Sequence, residues 1–105
     1  MKKKYVLVTG ASRGIGEAIA LTFAQQGYHV FLNCNHSVAE LEAVKSEIES
    51  LPNGSCDLLI GNVGDAAAVR EMFQTISSKC DALDVLVNNA GIAHIGLLTD
   101  MTDEE

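Results

Sequence analysis

The densest run of chemically capable positions in this 105-residue sequence is Thr9-Gly10-Ala11-Ser12-Arg13-Gly14-Ile15-Gly16. Glycines permit a tight turn and let the backbone come close to a ligand, because no Cβ stands in the way. Where such a turn feeds a helix, the first unpaired amides and the positive end of the helix dipole attract an anion, phosphate above all. Arg13 adds a guanidinium whose planar fork matches phosphate oxygens. The spacing is Gly-x-x-x-Gly-x-Gly, which differs from the widespread Gly-x-Gly-x-x-Gly pattern and lacks the Lys-Ser/Thr pair of a P-loop.

Other reactive side chains are scattered. Cys34, Cys56 and Cys80 are odd in number and have no ligand spacing, which predicts buried, reduced thiols and no metal site. His29, His36 and His94 have no Ser or Cys at a spacing that would support a nucleophilic triad, and His36 is read as a loop residue outside any site. Tyr5 and Tyr28 flank apolar runs and are read as core or rim residues. Asn62-Val63 and Asn88-Asn89-Ala90-Gly91 stand just beyond apolar runs, where Asn and Gly also serve turns.

A loop of this kind must be held between a strand and a helix. Tyr5-Val6-Leu7-Val8 is short and rich in β-branched residues, so it reads as a buried strand. Ile15, Ile19 and Phe23 then recur at helical spacing, with Gly27 as the stop. The next apolar run is His29 to Leu32. Ser37 and Glu40 have capping-box spacing ahead of Leu41, Val44, Ile48 and Leu51, and Pro52-Asn53-Gly54 ends that helix. Cys56 to Ile60 is a third strand, Asp65 caps a helix carrying Val69, Met72, Phe73 and Ile76, and Asp84 to Val87 is a fourth strand. Four strands alternating with three helices predict an α/β fold, a Rossmann-like doubly wound parallel sheet of strand order 3-2-1-4. Thr102 and Glu105 repeat the capping-box spacing, so the sequence is expected to end as a further helix opens, with half of the sheet still to come.

TGASRGIG at 9–16, NVGD at 62–65 and NNAG at 88–91 resemble the short-chain dehydrogenase/reductase family, in the family's order and over essentially the whole chain. The look is most similar to the family's bacterial 3-oxoacyl-[acyl-carrier-protein] reductases. The resemblance implies a nicotinamide dinucleotide as cofactor and hydride transfer between carbonyl and alcohol as chemistry. It assigns Gly10, Ala11, Ser12, Arg13 and Ile15 to the cofactor's pyrophosphate and adenosine ribose, with Gly14 and Gly16 of the same loop also cofactor-binding. Asn62 and Val63 would border the adenine, and Asn88, Ala90 and Gly91 would line the cofactor beside the fourth strand. The family more often has Asp where Asn62 stands, so an amide would replace a carboxylate acceptor. The family's catalytic Ser, Tyr-x-x-x-Lys pair and Asn have no counterpart: four residues after Tyr5 is Thr9, and four after Tyr28 is Leu32. Residues 1–105 are therefore expected to be a cofactor-binding half-domain, inactive alone, with no catalytic residue assigned.

Cofactor choice follows from the residues around the second strand. An NAD site usually places an acid there for the ribose 2′-hydroxyl. None occurs between Glu17 and Glu40, Asn35 takes that place in the site, and Arg13 can pair with a 2′-phosphate, so NADP is favoured over NAD. Fourteen acidic residues against seven basic ones give a net charge of −7, the wrong sign for nucleic acid. No apolar run is long enough to span a bilayer, and the start has no secretory pattern. The expectation is a cytoplasmic protein that forms a homo-oligomer through its fourth strand. A 105-residue nucleotide-binding or interaction module without catalysis remains the alternative; a methyltransferase-like nucleoside site is disfavoured, because it too wants an acid after the second strand.

Overall fold

The computed structural model describes residues 3–12 and 14–89. Its elements are β1 (Tyr5–Val8), α1 (Gly14–Gln25), β2 (His29–Cys34), α2 (Val38–Glu49), β3 (Ser55–Ile60), α3 (Ala66–Lys79) and β4 (Val85–Val87). All four strands are parallel, in the order β3-β2-β1-β4, and the change of direction at β1 puts the helices on both faces when crossovers share one hand. Alternate residues serve opposite faces. Val6, Val8, Val30, Leu32 and Cys56 pack under α1 and α2, while Leu7, Phe31 and Leu59 pack under α3. Helices on both faces explain why the strands read as continuous apolar runs.

The helix ends show which local signals act. Gly27, at φ +90°, closes α1. Its N–H bonds the Ala24 carbonyl at 3.0 Å and the Tyr28 N–H bonds the Phe23 carbonyl at 3.1 Å, which is the Schellman pattern. Tyr28 then packs edge-on against Phe23, ring centroids 4.8 Å apart. Asp65 caps α3, its side chain accepting from the Ala67 N–H at 3.0 Å.

Several expectations need correction. Ser37 does stand at the N-cap of α2, but its side chain makes no capping bond, so the box with Glu40 is not formed. Its ψ of 58° lies away from the extended conformation that aims a cap hydroxyl at the helix amides. The turn out of β2 imposes that angle, with the Val38 N–H bonding the His36 carbonyl at 2.8 Å. In α1 the buried line is Gly16, Ala20 and Ala24; Ile19 and Phe23 flank it, and Ile15 is 71% exposed. β2 runs two residues further than its apolar run, β3 begins one residue earlier, and β4 begins at Val85. The helix opening at 102–105 lies outside the described residues.

His29 has partners that sequence spacing did not show. The β2-β3 register sets it beside Ser55, with Nδ1 2.8 Å from Ser55 Oγ and Nε2 2.8 Å from Asp57 Oδ2. Lys79 reaches the other Asp57 oxygen at 3.5 Å, and Tyr5 and Phe31 pack against the imidazole. This polar cluster closes the amino-terminal end of the sheet. No described helix is long and apolar enough to cross a membrane.

Candidate functional site

At the opposite, carboxyl end of the strands, the loop after β1 passes over the start of α1. Gly10 and Gly14 both have positive φ, 61° and 63°, the region where a Cβ is strained. Gly16 is required for a different reason. A Cβ there would fall 2.0 Å from the Gly10 carbonyl oxygen and 2.6 Å from Asn89 Nδ2, so only glycine lets the helix meet the loop. Ala11 is fully buried and Ser12 nearly so. Gly14 and Ile15 open the first turn of α1 on the exposed side, leaving an apolar side chain and the first helical amides available to a ligand.

Thr9 and Asn89 brace this loop, and sequence reasoning gave neither that role. Thr9 is fully buried; its N–H bonds the Val87 carbonyl at 3.0 Å, and its hydroxyl donates to Asn88 Oδ1 at 3.2 Å and accepts from the Asn89 N–H at 2.9 Å. Asn89 Nδ2 donates to the Gly10 carbonyl at 3.3 Å. The end of β4 thus holds the first glycine of the loop, while Asn88 stays exposed at the sheet's edge. Only tertiary contact could reveal this, because the partners are about 80 residues apart in the chain.

Beside the loop is a cleft of about 310 Å³. Gly10 and Ser12 form one wall, the stretch from Asn33 to Ser37 its middle, and Gly61, Asn62 and Val63 the other wall. Asn35 lines this cleft, and so does His36, which the sequence reading kept out of the site. Asn62 Oδ1 accepts from the Gly64 N–H at 2.8 Å, so the carbonyl half of this amide is held by its own turn. Burial pushes the Cys34 thiol up, which keeps it neutral at pH 7. Among the described residues none that lines the cleft is a carboxylate, in a chain where acids outnumber bases two to one. Arg13, Ala90 and Gly91 lie outside the described residues. Tyr5 and Tyr28 are half-buried in or beside strands, and neither lines the cleft.

These features fit a dinucleotide. The glycine cradle and helix amides suit a pyrophosphate, and the adjoining cleft has the size and neutral lining for an adenosine. The family model for the short chain dehydrogenases matches residues 4–105, and the chain belongs to that family. It is 46% identical over 102 residues to the 3-oxoacyl-[acyl-carrier-protein] reductase FabG of Staphylococcus aureus, covering 97% of this chain and 41% of the relative. Among solved structures, YwfH, an NADPH-dependent reductase involved in bacilysin biosynthesis, superposes with a TM-score of 0.76 at 38% identity, over 84% of this chain and 35% of that one. An alcohol dehydrogenase from the archaeon Thermococcus sibiricus, complexed with 5-hydroxy-NADP, gives 0.73 at 33% identity, over 81% and 36%. The chain spans about two fifths of the length of the curated relatives it matches.

Proposed function

We propose that this chain is the cofactor-binding portion of an NADP(H)-dependent carbonyl reductase, with 3-oxoacyl groups on acyl carrier protein as the substrate class. The observation that carries the cofactor choice is the cleft without a carboxylate. Asn35, His36 and Ser37 stand where an NAD site would present an acid to the 2′-hydroxyl, so none of these three repels a 2′-phosphate. Arg13, on the loop, supplies the charge to pair with it. Gly10, Ser12 and the first amides of α1 hold the pyrophosphate, Ile15 covers it from the exposed side, and Asn62 and Val63 border the adenine. Asn88, just past the end of β4, lies beside the cofactor, and Ala90 and Gly91 are assigned to it by the family resemblance alone. When bound, the nicotinamide supplies the hydride; this chain's residues bind and orient it.

Titration of NADP and NAD against the purified chain and its Arg13→Ala variant tests this reading. A charge-assisted pair to phosphate favours NADP by about 10- to 100-fold, and the variant should lose that margin. Equal affinities throughout would remove the preference and Arg13's part in it. The homo-oligomer and a cytoplasmic location with three reduced thiols belong to the same proposal.

A non-catalytic nucleotide-binding module is the second reading; within residues 1–105 neither tyrosine is followed four positions on by a lysine. Homogeneous 105-residue protein should therefore show no carbonyl-dependent consumption of NADPH, and turnover that is lost on Gly16→Trp would contradict this. The intact mass of the protein from its native source separates the readings. A mass matching 105 residues supports the module, and a larger one the reductase.

A further inference from the structure

We infer that Asn33 is a positioning residue that holds the two walls of the cleft at a fixed separation, an inference that rests on the dinucleotide reading of that cleft. A polar side chain near the end of a buried strand needs partners, and that of Asn33, 2% exposed, finds them towards β3, while its backbone holds the loop on the other side. Its carbonyl accepts from the Ala11 N–H at 2.9 Å, which ties β2 to the glycine loop. Its side-chain Nδ2 donates to the Leu59 carbonyl at 3.0 Å and the Gly61 carbonyl at 3.1 Å, tying β2 to the opposite wall.

The geometry of β3 makes the second tie necessary. The ladder between β2 and β3 ends at Cys34 and Ile60, after which the Gly61 N–H still reaches the Cys34 carbonyl at 2.9 Å. Beyond it, the chain leaves the sheet to form the Asn62-Val63 wall. Asn33 Nδ2 spans this departure by bonding a carbonyl inside the strand and one outside it. Met72 of α3, whose sulfur is 3.3 Å from the same nitrogen, backs the amide. An apolar residue would leave two carbonyls in this buried corner without these donors, and a carboxylate would oppose them with negative charge. One planar NH2 group supplies both hydrogens, so the residue type is set by the task.

The test compares wild type with Asn33→Leu and Asn33→Asp. The probe is adenosine 2′,5′-bisphosphate, titrated at pH 8 and pH 6, with the folded fraction of each protein verified by circular dichroism. At pH 8 both variants should bind about tenfold more weakly than wild type. At pH 6 the Asn33→Asp deficit should shrink, because burial raises the new carboxyl's pKa and its neutral form donates one hydrogen to the carbonyls. The Asn33→Leu deficit should be the same at both pH values. A loss of thermal stability without loss of affinity would overturn the inference, as would a deficit in Asn33→Asp alone, which is charge repulsion. If wild type itself binds no dinucleotide, the functional reading fails instead. The clamp is then read from amide exchange at Gly61 and Val63: faster exchange in Asn33→Leu supports it, and unchanged exchange overturns it.

Discussion

The tight turn at glycines 10, 14 and 16 was legible because their use depends on the backbone, and their spacing is local. Gly16 gives the sharpest test of that loop. In Gly16→Ala the added Cβ meets the Gly10 carbonyl oxygen, a backbone atom with no freedom to turn aside. Loop and helix must separate, at a cost of about 1–3 kcal/mol. Urea unfolding should show that loss, and NADP affinity should fall with it; an unchanged midpoint would mean the loop yields freely. Cys56 offers a prediction of another kind. Burial, with the Glu49 carboxylate adding to it, pushes its thiol from 9.0 up to about 11. Below pH 9 the thiol is neutral in folded and unfolded chain alike, so its contribution to stability is fully present. Above that, the unfolded chain ionises first and stability is lost as the pH rises towards 11. Wild type should therefore lose on the order of 1–3 kcal/mol more than Cys56→Ala over this window. Parallel curves for the two proteins, measured by urea unfolding from pH 8 to 11, would contradict it.

Element by element, what the sequence made readable was whatever is decided locally or by simple periodicity. Gly27 stops α1 through bonds within five residues, and Asp65 caps α3 through a bond two residues away. Gly27→Ala should accordingly lower stability by about 1 kcal/mol, since alanine resists a φ of +90°. Thermal or urea unfolding checks it, and a stabilised variant would show the Schellman turn to be dispensable. What could not be read depends on partners far along the chain. β2 looked finished at Leu32 because Asn33 and Cys34 do not continue an apolar run; the Asn33 amide is tolerated in the core because Leu59 in β3 and Gly61 just beyond it each offer it a carbonyl. The same holds for His29, whose partners Ser55 and Asp57 are set by strand register. Ile15 fits the helical stripe by spacing, yet the stripe that packs is made of small residues, since α1 lies close over the loop at Gly16. Ser37 and Glu40 have the right spacing, but the turn out of β2 fixes the angle that spacing alone cannot see.

At the scale of the molecule, strand order and layering were legible from the alternation of elements, while the outer side of β4 raises a question of association. β1 is buried at Val6, Leu7 and Val8, but all three residues of β4 are only partly buried. Among the described residues, two helices cover one face of the sheet and α3 the other. Leu83 and Leu86 there line a cavity of about 330 Å³ with Phe73, Ile76 and Cys80 of α3 and its end. Among the described residues, no strand pairs with the outer edge of β4. Natural edges carry lysine, proline or a bulge against unwanted pairing. This one has Asp84 at its start, and that carboxylate is engaged inward, accepting from the Tyr5 N–H at 2.8 Å. The amides and carbonyls that remain on the outer side of Val85-Leu86-Val87 match those of a second copy turned by a two-fold axis. Such pairing would join two four-stranded sheets into one, with antiparallel strands at the junction. The half-covered leucines beside it would lose water in the same step, which favours association further. The 105-residue chain is therefore expected to be a dimer or larger assembly at micromolar concentration, dissociating on dilution. Light scattering across a concentration series measures this directly, and a monodisperse monomer throughout would mean that the outer edge of β4 is already satisfied within a single chain.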